Sequence, residues 1–269
     1  MRKLGVVSGF NIVKCSNCHL AYVENIPSYS ELEKIYSEQK LEMWQKTFGT
    51  NLDKELDRFT ETTNNETKDW FDEVLEYVDC SGNDTKSILE IGSSRGVFLN
   101  YANSKGYDAF GTEASEDIVN KVRKHVSNRI YFVKEDNYDS CFHNQTFDFI
   151  YMEHVLEHMR SPHTVLRSLA KLLNNNGKIM IIVPNHSCVA AQLIKLNWYA
   201  YDPPIHLFFY NMKSISQMLK NCGFSIENIR SFSSYRRVGG VYTLDKYFNK
   251  TIKLINKIFK TNINTLQPF

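Results

Sequence analysis

The sequence predicts an α/β fold in which a mostly parallel sheet is covered by helices. Strand-like and helix-like segments alternate from Lys86 onward, which is the pattern of strands joined by crossover helices. The apolar run at 87–91 passes through a turn rich in Gly and Ser into an apolar-periodic segment, as expected for a buried strand that leads directly into a helix. At 269 residues, the chain is long enough for one domain of about 200 residues and a small appendage.

Hydrophobic periodicity places the individual elements. A small β-rich piece is predicted within 1–27, and the segments near 31–46 and 66–79 have helical spacing. The predicted strands of the main sheet lie near 87–91, 108–112, 129–133, 147–152, 178–183 and 224–231, and its helices near 95–104, 116–125, 162–173 and 212–221. We divide the chain into an N-terminal hairpin and helical extension (1–80), a central domain (81–235) with a lid at about 185–210, and a C-terminal segment (236–269).

Composition limits the partners and the compartment. A formal net charge of +2 produces no global field that would favour nucleic acid. No apolar run approaches the ~18–20 residues that span a bilayer, and the basic start of the chain lacks the apolar core of a signal peptide. Of the six cysteines, only Cys15 and Cys18 are close together. We therefore expect a cytoplasmic protein with free thiols.

The turn after the 87–91 strand carries the strongest chemical signal. It reads E-I-G-S-S-R-G over residues 90–96. Gly92 and Gly96 allow a close backbone approach that a Cβ would block, and a helix starting near Arg95 would direct free N–H groups at a ligand. A dinucleotide-binding turn requires G-x-G-x-x-G directly after the strand, which this turn does not have. We predict a nucleotide-like cofactor over the turn, with a ligand-free structural turn as the alternative.

This turn resembles the first motif of class I S-adenosylmethionine-dependent methyltransferases, [DE]-x-G-x-G-x-G, with Ser94 in place of the middle glycine. Further segments are similar, in the expected order, to a large bacterial group of these enzymes that includes ubiquinone-pathway and sugar-modifying members. They are F-D-x-I at 147–150, V-L-E-H at 155–158, and L-L-x-x-x-G followed by an apolar run and P-N at 172–185. The resemblance implies a Rossmann-like, seven-stranded, mostly parallel sheet and S-adenosylmethionine as the cofactor.

The resemblance also implies which residues contact the cofactor. These are Glu90, Gly92, Ser94, Gly96, Glu113, Asp136 and Met152. Glu113 ends the second strand of the main sheet, where a carboxylate can accept hydrogen bonds from both hydroxyls of the ribose. Asp136 is placed to accept from the adenine amino group. The alternatives are that Glu113 only caps the helix starting near Ser115, and that Asp136 lies in a plain polar loop.

Histidines at strand ends and in the lid are the candidates for catalysis. Methyl transfer to a hydroxyl requires a group that removes a proton, and histidine suits this role near neutral pH. In order of preference the predicted catalytic residues are His158, His206 and His154, with Glu157 beside the first, and His186 is a further candidate. For each of them the alternative is a hydrogen-bonded structural histidine.

Two segments lie outside the central domain. Cys15 and Cys18 have the spacing of one knuckle of a zinc ribbon, but tetrahedral zinc needs four ligands. We interpret the pair as a remnant with free thiols and predict no metal site.

A helix at 243–260 would be amphipathic with a stripe of lysines, and we favour its packing on the protein or on a second subunit over peripheral contact with a membrane.

Together these observations predict a methyltransferase. The expected acceptor is a small molecule or a sugar of a polysaccharide precursor, methylated at a hydroxyl, and we expect no nucleic-acid partner. The oligomeric state and the acceptor molecule stay open. The alternative from another functional class is a subunit that binds the cofactor without transferring methyl, because Ser94 interrupts the glycine pattern.

Overall fold

A computed structural model describes residues 1–35, 65–78, 85–134, 138–143 and 145–232. The strands are β1 (Arg2–Val7), β2 (Phe10–Lys14), β3 (Ala21–Val23), β4 (Ser87–Ile91), β5 (Asp108–Glu113), β6 (Ile130–Phe132), β7 (Phe147–Glu153), β8 (Leu173–Ile182) and β9 (Phe208–Phe209). The helices are α1 (Asn65–Leu75), α2 (Val97–Ser104), α3 (Glu116–His125), α4 (Tyr138–Cys141), α5 (Pro162–Lys171), α6 (Val189–Ile194) and α7 (Met212–Asn221). Short 3-10 helices span Leu156–His158 and Lys195–Asn197, and residues 29–35 are helical.

The central sheet consists of five parallel strands in the order β6-β5-β4-β7-β8. β5 and β6 follow β4 in the chain and lie on one side of it, whereas β7 and β8 lie on its other side. The strand order therefore reverses between β4 and β7. In open α/β sheets, ligands bind at the carboxyl ends of the strands at such a reversal.

Apolar side chains on both faces of the sheet hold the helices in place. On one face, α1, α2 and α3 pack against Ile88 and Phe149. On the other face, α5 and α7 pack against Leu89 and Ile150. These four strand residues are at most 1% exposed, as expected for parallel strands that are covered on both sides. The prediction of an α/β fold with a parallel sheet is confirmed.

A second, smaller sheet has the order β1-β2-β3-β9. Its first three strands are consecutive and antiparallel, whereas β9 comes from the segment predicted as a lid and pairs Phe209 with Ala21. Trp198 and Tyr201 of the same segment are buried in the core of this sheet. The predicted lid is therefore anchored to the N-terminal extension.

The structure corrects part of the strand prediction. The described residues form five strands in the central sheet where seven were predicted. The predicted strand at 224–231 is wrong, because no backbone of that segment pairs with a strand. A side-chain contact joins the segment to β8, the 3.1 Å ion pair between Lys178 and Glu227. The apolar alternation over 224–226 resembles a strand, but most of the side chains that follow it are exposed.

The predicted helices near the two ends of the chain lie partly or wholly outside the described residues. The predicted helix at 31–46 is helical over 29–35, and its remainder lies outside the described residues, as does the predicted helix at 243–260. In the turn between β2 and β3, the thiols of Cys15 and Cys18 are both free. Within the described segments, we find no helix that is long and apolar enough to cross a membrane.

Candidate active site

The glycine-rich turn adopts a left-handed backbone at three alternate residues. Gly92, Ser94 and Gly96 have φ angles of 72°, 47° and 72°. The turn is fixed from inside, because the backbone N–H of Ser93 donates to the carbonyl of Thr112 in β5 at 2.7 Å. Helix α2 then begins at Val97, slightly later than predicted. Ser94 thus takes the conformation that the motif normally assigns to glycine, which a small polar residue tolerates at a modest cost.

Gly92 also packs so closely against Val155 that there is no space for a side chain. A Cβ on this residue would lie 2.6 Å from Cγ2 of Val155. Val155 directly precedes the 3-10 helix Leu156–His158, so this contact joins the turn after β4 to the turn after β7. The glycine-rich turn at 90–96 and the V-L-E-H segment at 155–158 therefore lie side by side at the carboxyl edge of the sheet.

Glu90 lies inside the protein beneath the turn. Its side chain is 9% exposed, and its Oε2 accepts a 3.2 Å hydrogen bond from the backbone N–H of Leu99 in α2. Burial raises the pKa of Glu90 to about 8, and the charge of Glu113 acts in the same direction. Glu90 is therefore mainly protonated at neutral pH and ties β4 to α2, and its predicted contact with the cofactor stays a prediction.

Glu113 sits at the end of β5 and reaches the glycine-rich turn. Its Oε2 accepts a hydrogen bond of 3.1 Å from the backbone N–H of Ser94, and its Oε1 accepts one of 3.0 Å from Ser115, the residue before α3. The side chain is 6% exposed. Glu113 therefore holds the start of α3, as the alternative expected, and its predicted contact with the ribose stays a prediction.

Met152, another predicted cofactor residue, lies in the core of the sheet. Met152 is fully buried in β7, with Ile91 and Ile181 opposite it on the neighbouring strands. Its side chain belongs to the apolar core that backs the turn. Asp136 is outside the described residues.

The structure brings three of the predicted histidines and Glu157 together. The imidazole rings of His158 and His206 lie edge to face with centroids 4.7 Å apart. Nδ1 of His154 is 3.3 Å from Oε1 of Glu157. The backbone also connects the two segments, because the N–H of Leu207 donates to the carbonyl of Glu157 at 2.8 Å. We call Glu157, His158, His206 and His154 the Glu–His cluster.

The environment sets the charges within the Glu–His cluster. Burial by itself would raise the pKa of Glu157, but the hydrogen bond from His154 and the positive potential of the three histidines lower it below its usual value. Burial lowers the pKa of His158, and the nearby carboxylate of Glu157 only partly offsets this effect. Near neutral pH, Glu157 is therefore a carboxylate and His158 is a neutral imidazole.

His186 lies apart from this cluster in a buried polar network. It is 3% exposed, its Nε2 hydrogen-bonds the carbonyl of His19 at 3.0 Å, and its Nδ1 is 3.3 Å from the hydroxyl of Tyr201. These contacts connect the lid segment to the turn between β2 and β3. For His186 the structure favours the alternative of a structural histidine.

A polar chain at the carboxyl end of β7 was missed by the sequence analysis. The indole N–H of Trp70 donates to the hydroxyl of Tyr151 at 3.1 Å, and that hydroxyl donates in turn to the carboxylate of Glu153. The signal in the sequence was a tyrosine and a glutamate at the carboxyl end of this strand. Through this chain, α1 of the N-terminal extension contacts the edge of the sheet where the glycine-rich turn lies.

Comparison with known proteins decides the family. Residues 59–229, more than half of the chain, match the family model described as a methyltransferase domain. The protein belongs to this methyltransferase family. Both the predicted class, a methyltransferase that depends on S-adenosylmethionine, and its cofactor are thereby supported at the level of the family.

Individual relatives of the chain are distant in sequence. The ubiquinone biosynthesis O-methyltransferase of Photobacterium profundum is 24% identical over 123 residues, 41% of this chain and 52% of the relative. The chain thus spans about half the length of the curated relative that it matches. Two solved structures share the fold. A SAM-dependent methyltransferase from Archaeoglobus fulgidus has a TM-score of 0.53 at 16% identity, covering 81% of this chain and 93% of the other. A magnesium protoporphyrin IX methyltransferase from Synechocystis PCC 6803 with bound SAH has a TM-score of 0.55 at 15% identity, covering 78% and 95%.

Proposed function

We propose that this protein transfers a methyl group from S-adenosylmethionine to a hydroxyl group of a small molecule. One observation carries the proposal. The glycine-rich turn after β4 and the Glu–His cluster after β7 meet at the strand-order reversal of the sheet, where Gly92 packs against Val155. A cofactor held by the turn and an acceptor held by the cluster would therefore be neighbours, and positioning of this kind is the main task in a displacement with an activated donor.

The residues of the turn fit S-adenosylmethionine. Gly92 and Gly96 carry no side chain and Ser94 carries a short one, and all three have a left-handed backbone. The carboxylate of Glu113 is held at the edge of the turn by the N–H of Ser94, where it can accept hydrogen bonds from a diol. We assign Asp136 to the adenine amino group, and Glu90 and Met152 to the wall behind the turn. The bound cofactor supplies the methyl group, whose bond to sulfur breaks with the electron pair left on sulfur while a bond to the acceptor oxygen forms.

The Glu–His cluster provides a site for the acceptor hydroxyl and its proton. Nδ1 of His154 is 3.3 Å from Oε1 of Glu157, and the side chain of His154 is 46% exposed, so a proton can pass from the cluster to solvent. We propose that these side chains orient the hydroxyl and accept its proton as the oxygen is methylated.

The acceptor class is proposed from the cluster and from the relative. Two imidazoles and a carboxylate suit a weakly acidic hydroxyl, and the Photobacterium relative is named as an O-methyltransferase of ubiquinone biosynthesis. A sugar hydroxyl of a polysaccharide precursor is the second acceptor class to be tried.

Calorimetric titration of the 269-residue chain with S-adenosylmethionine, and separately with NADH, tests the cofactor. We expect S-adenosylmethionine to bind, NADH not to bind, and Glu113→Ala to weaken the affinity by about tenfold or more. Glu116→Ala is the matched control, since Glu116 is an exposed acid in the first turn of α3. Failure of the folded protein to bind S-adenosylmethionine would overturn the proposal.

A methyl-transfer assay with a panel of phenols and sugars then tests the reaction. Label from the methyl group of the donor should appear in the product for at least one hydroxyl acceptor. Binding of S-adenosylmethionine without turnover of any acceptor would favour the cofactor-binding subunit that lacks activity.

A further inference from the structure

We propose that Glu157, His158 and His206 bind a divalent transition-metal cation, with Zn²⁺ as the probe. One carboxylate oxygen and two imidazole nitrogens from these residues all lie within 4.8 Å of one another. Among the described residues this is the only such group of three or more potential ligands. One carboxylate and two imidazoles form a ligand set that zinc accepts, with further positions left for a water or a substrate. No local spacing in the sequence indicated a metal here, because His206 lies far along the chain from Glu157 and His158.

An orphaned oxygen points independently to a missing ligand. Glu157 is only 1% exposed, and its Oε2 is buried without a hydrogen-bond partner among the described residues. Its other oxygen, Oε1, is occupied by His154. A buried carboxylate oxygen with no partner is costly, and a cation bound to it would remove that cost.

The two histidines are oriented as metal ligands usually are. Nδ1 of His158 is 2.9 Å from the carbonyl oxygen of Ile205, and Nδ1 of His206 is 2.8 Å from that of Ala200. Because a carbonyl oxygen only accepts, Nδ1 carries the hydrogen in both rings. In the neutral form of this tautomer the lone pair lies on Nε2. Hydrogen bonds of this kind fix the tautomer and the ring orientation of a ligating histidine.

The donor set also favours a cation of this class. Two imidazole ligands favour zinc and its first-row neighbours over Mg²⁺, which prefers oxygen. The site would also fasten the lid segment to the turn after β7.

A cation here would deepen the proposed function, on which this step depends. A hydroxyl bound to the cation loses its proton more easily. The O–H bond breaks with its electron pair left on the oxygen, the proton passes to His154 or to water, and the cation keeps its oxidation state. His158 and His206 then act as ligands, and the oxygen that remains is the nucleophile for the methyl group.

Titration of the chelator-treated 269-residue chain with Zn²⁺ tests the site, with Co²⁺ as a spectroscopic substitute. Cys15→Ser/Cys18→Ser serves as the background, because the thiols of that turn could bind zinc themselves. We expect about one Zn²⁺ per chain in this background, a rise in Tm on binding, and Co²⁺ bands in the visible without a thiolate charge-transfer band. Mg²⁺ should not compete.

Variants locate the site. Glu157→Gln and His206→Gln should each weaken Zn²⁺ binding by about a hundredfold, whereas His163→Gln, which alters an exposed histidine, should leave it unchanged. Zinc binding that disappears with the two cysteines, or that survives His206→Gln undiminished, would overturn the site. If the Glu157 variant does not fold, His206→Gln and the Co²⁺ spectrum still show whether the cation binds at this site.

Binding of S-adenosylmethionine separates the two proposals. Zinc binding without binding of S-adenosylmethionine would leave the metal site standing and overturn the proposed function. Binding of S-adenosylmethionine without zinc binding would overturn the metal site alone.

Discussion

Gly92 and Val155 are in direct contact at the carboxyl edge of the central sheet, since a Cβ on Gly92 would lie only 2.6 Å from Cγ2 of Val155. Because of this contact, the glycine-rich turn after β4 and the Glu–His cluster after β7 share one wall. The absence of a side chain at Gly92 is therefore required by the protein itself, in addition to any cofactor that the turn holds.

Gly92→Ala should lower the free energy of unfolding by about 2 to 4 kcal/mol, from the strain of a left-handed alanine and from overlap with Val155. Gly106→Ala is a matched control, because Gly106 has a φ of 89° but no atom within 4 Å of the added Cβ. It should show the backbone strain alone, about 1 to 2 kcal/mol. Urea unfolding followed by circular dichroism measures both, and equal losses would contradict the packing argument.

Glu90 should make the protein less stable as the pH rises. Burial raises its pKa from 4.5 to about 8, so between these values the folded state holds a proton that the unfolded chain has released. The free energy of unfolding should therefore fall across this range, by roughly 2 to 4 kcal/mol from this group.

Glu90→Gln keeps an acceptor for the N–H of Leu99 and cannot ionise. Urea unfolding at pH 5 and at pH 8 should show the variant gaining stability relative to the natural sequence as the pH rises. Glu116→Gln, which changes an exposed acid, should show no such trend. A difference between Glu90→Gln and the natural sequence that does not vary with pH would contradict the buried, protonated state.

His186 should make the protein less stable as the pH falls, in contrast to Glu90, which acts as the pH rises. Burial lowers its pKa from 6.5 to about 4, so between these values the unfolded chain binds a proton that the folded protein does not. The contribution of this group to stability is complete above about pH 6.5 and is lost toward pH 4, amounting to about 1 to 3 kcal/mol. Thermal unfolding of His186→Gln should show a weaker loss between pH 7 and pH 5 than the natural sequence shows. An unchanged loss would mean that another group titrates.

Strong local periodicity made several elements predictable from the sequence. Helices α3 and α7 were predicted with the bounds that the structure shows, because both combine an amphipathic pattern with a clear start. Strands β4 and β7 were also predicted closely, since their apolar runs are buried on both faces. The 224–231 strand failed because alternation over a few residues says nothing about whether a partner edge is free to pair.

The sequence by itself determined the order of strands and helices, the two chemically marked turns and the family to which they point. Only the tertiary structure decided that β9 pairs with β3, that His206 stands against His158, and that Val155 fills the space beside Gly92. Local patterns report on the turn and the face of a segment, whereas these three contacts join segments far apart in the chain. They depend on how the sheets and the lid segment pack, which no local periodicity records.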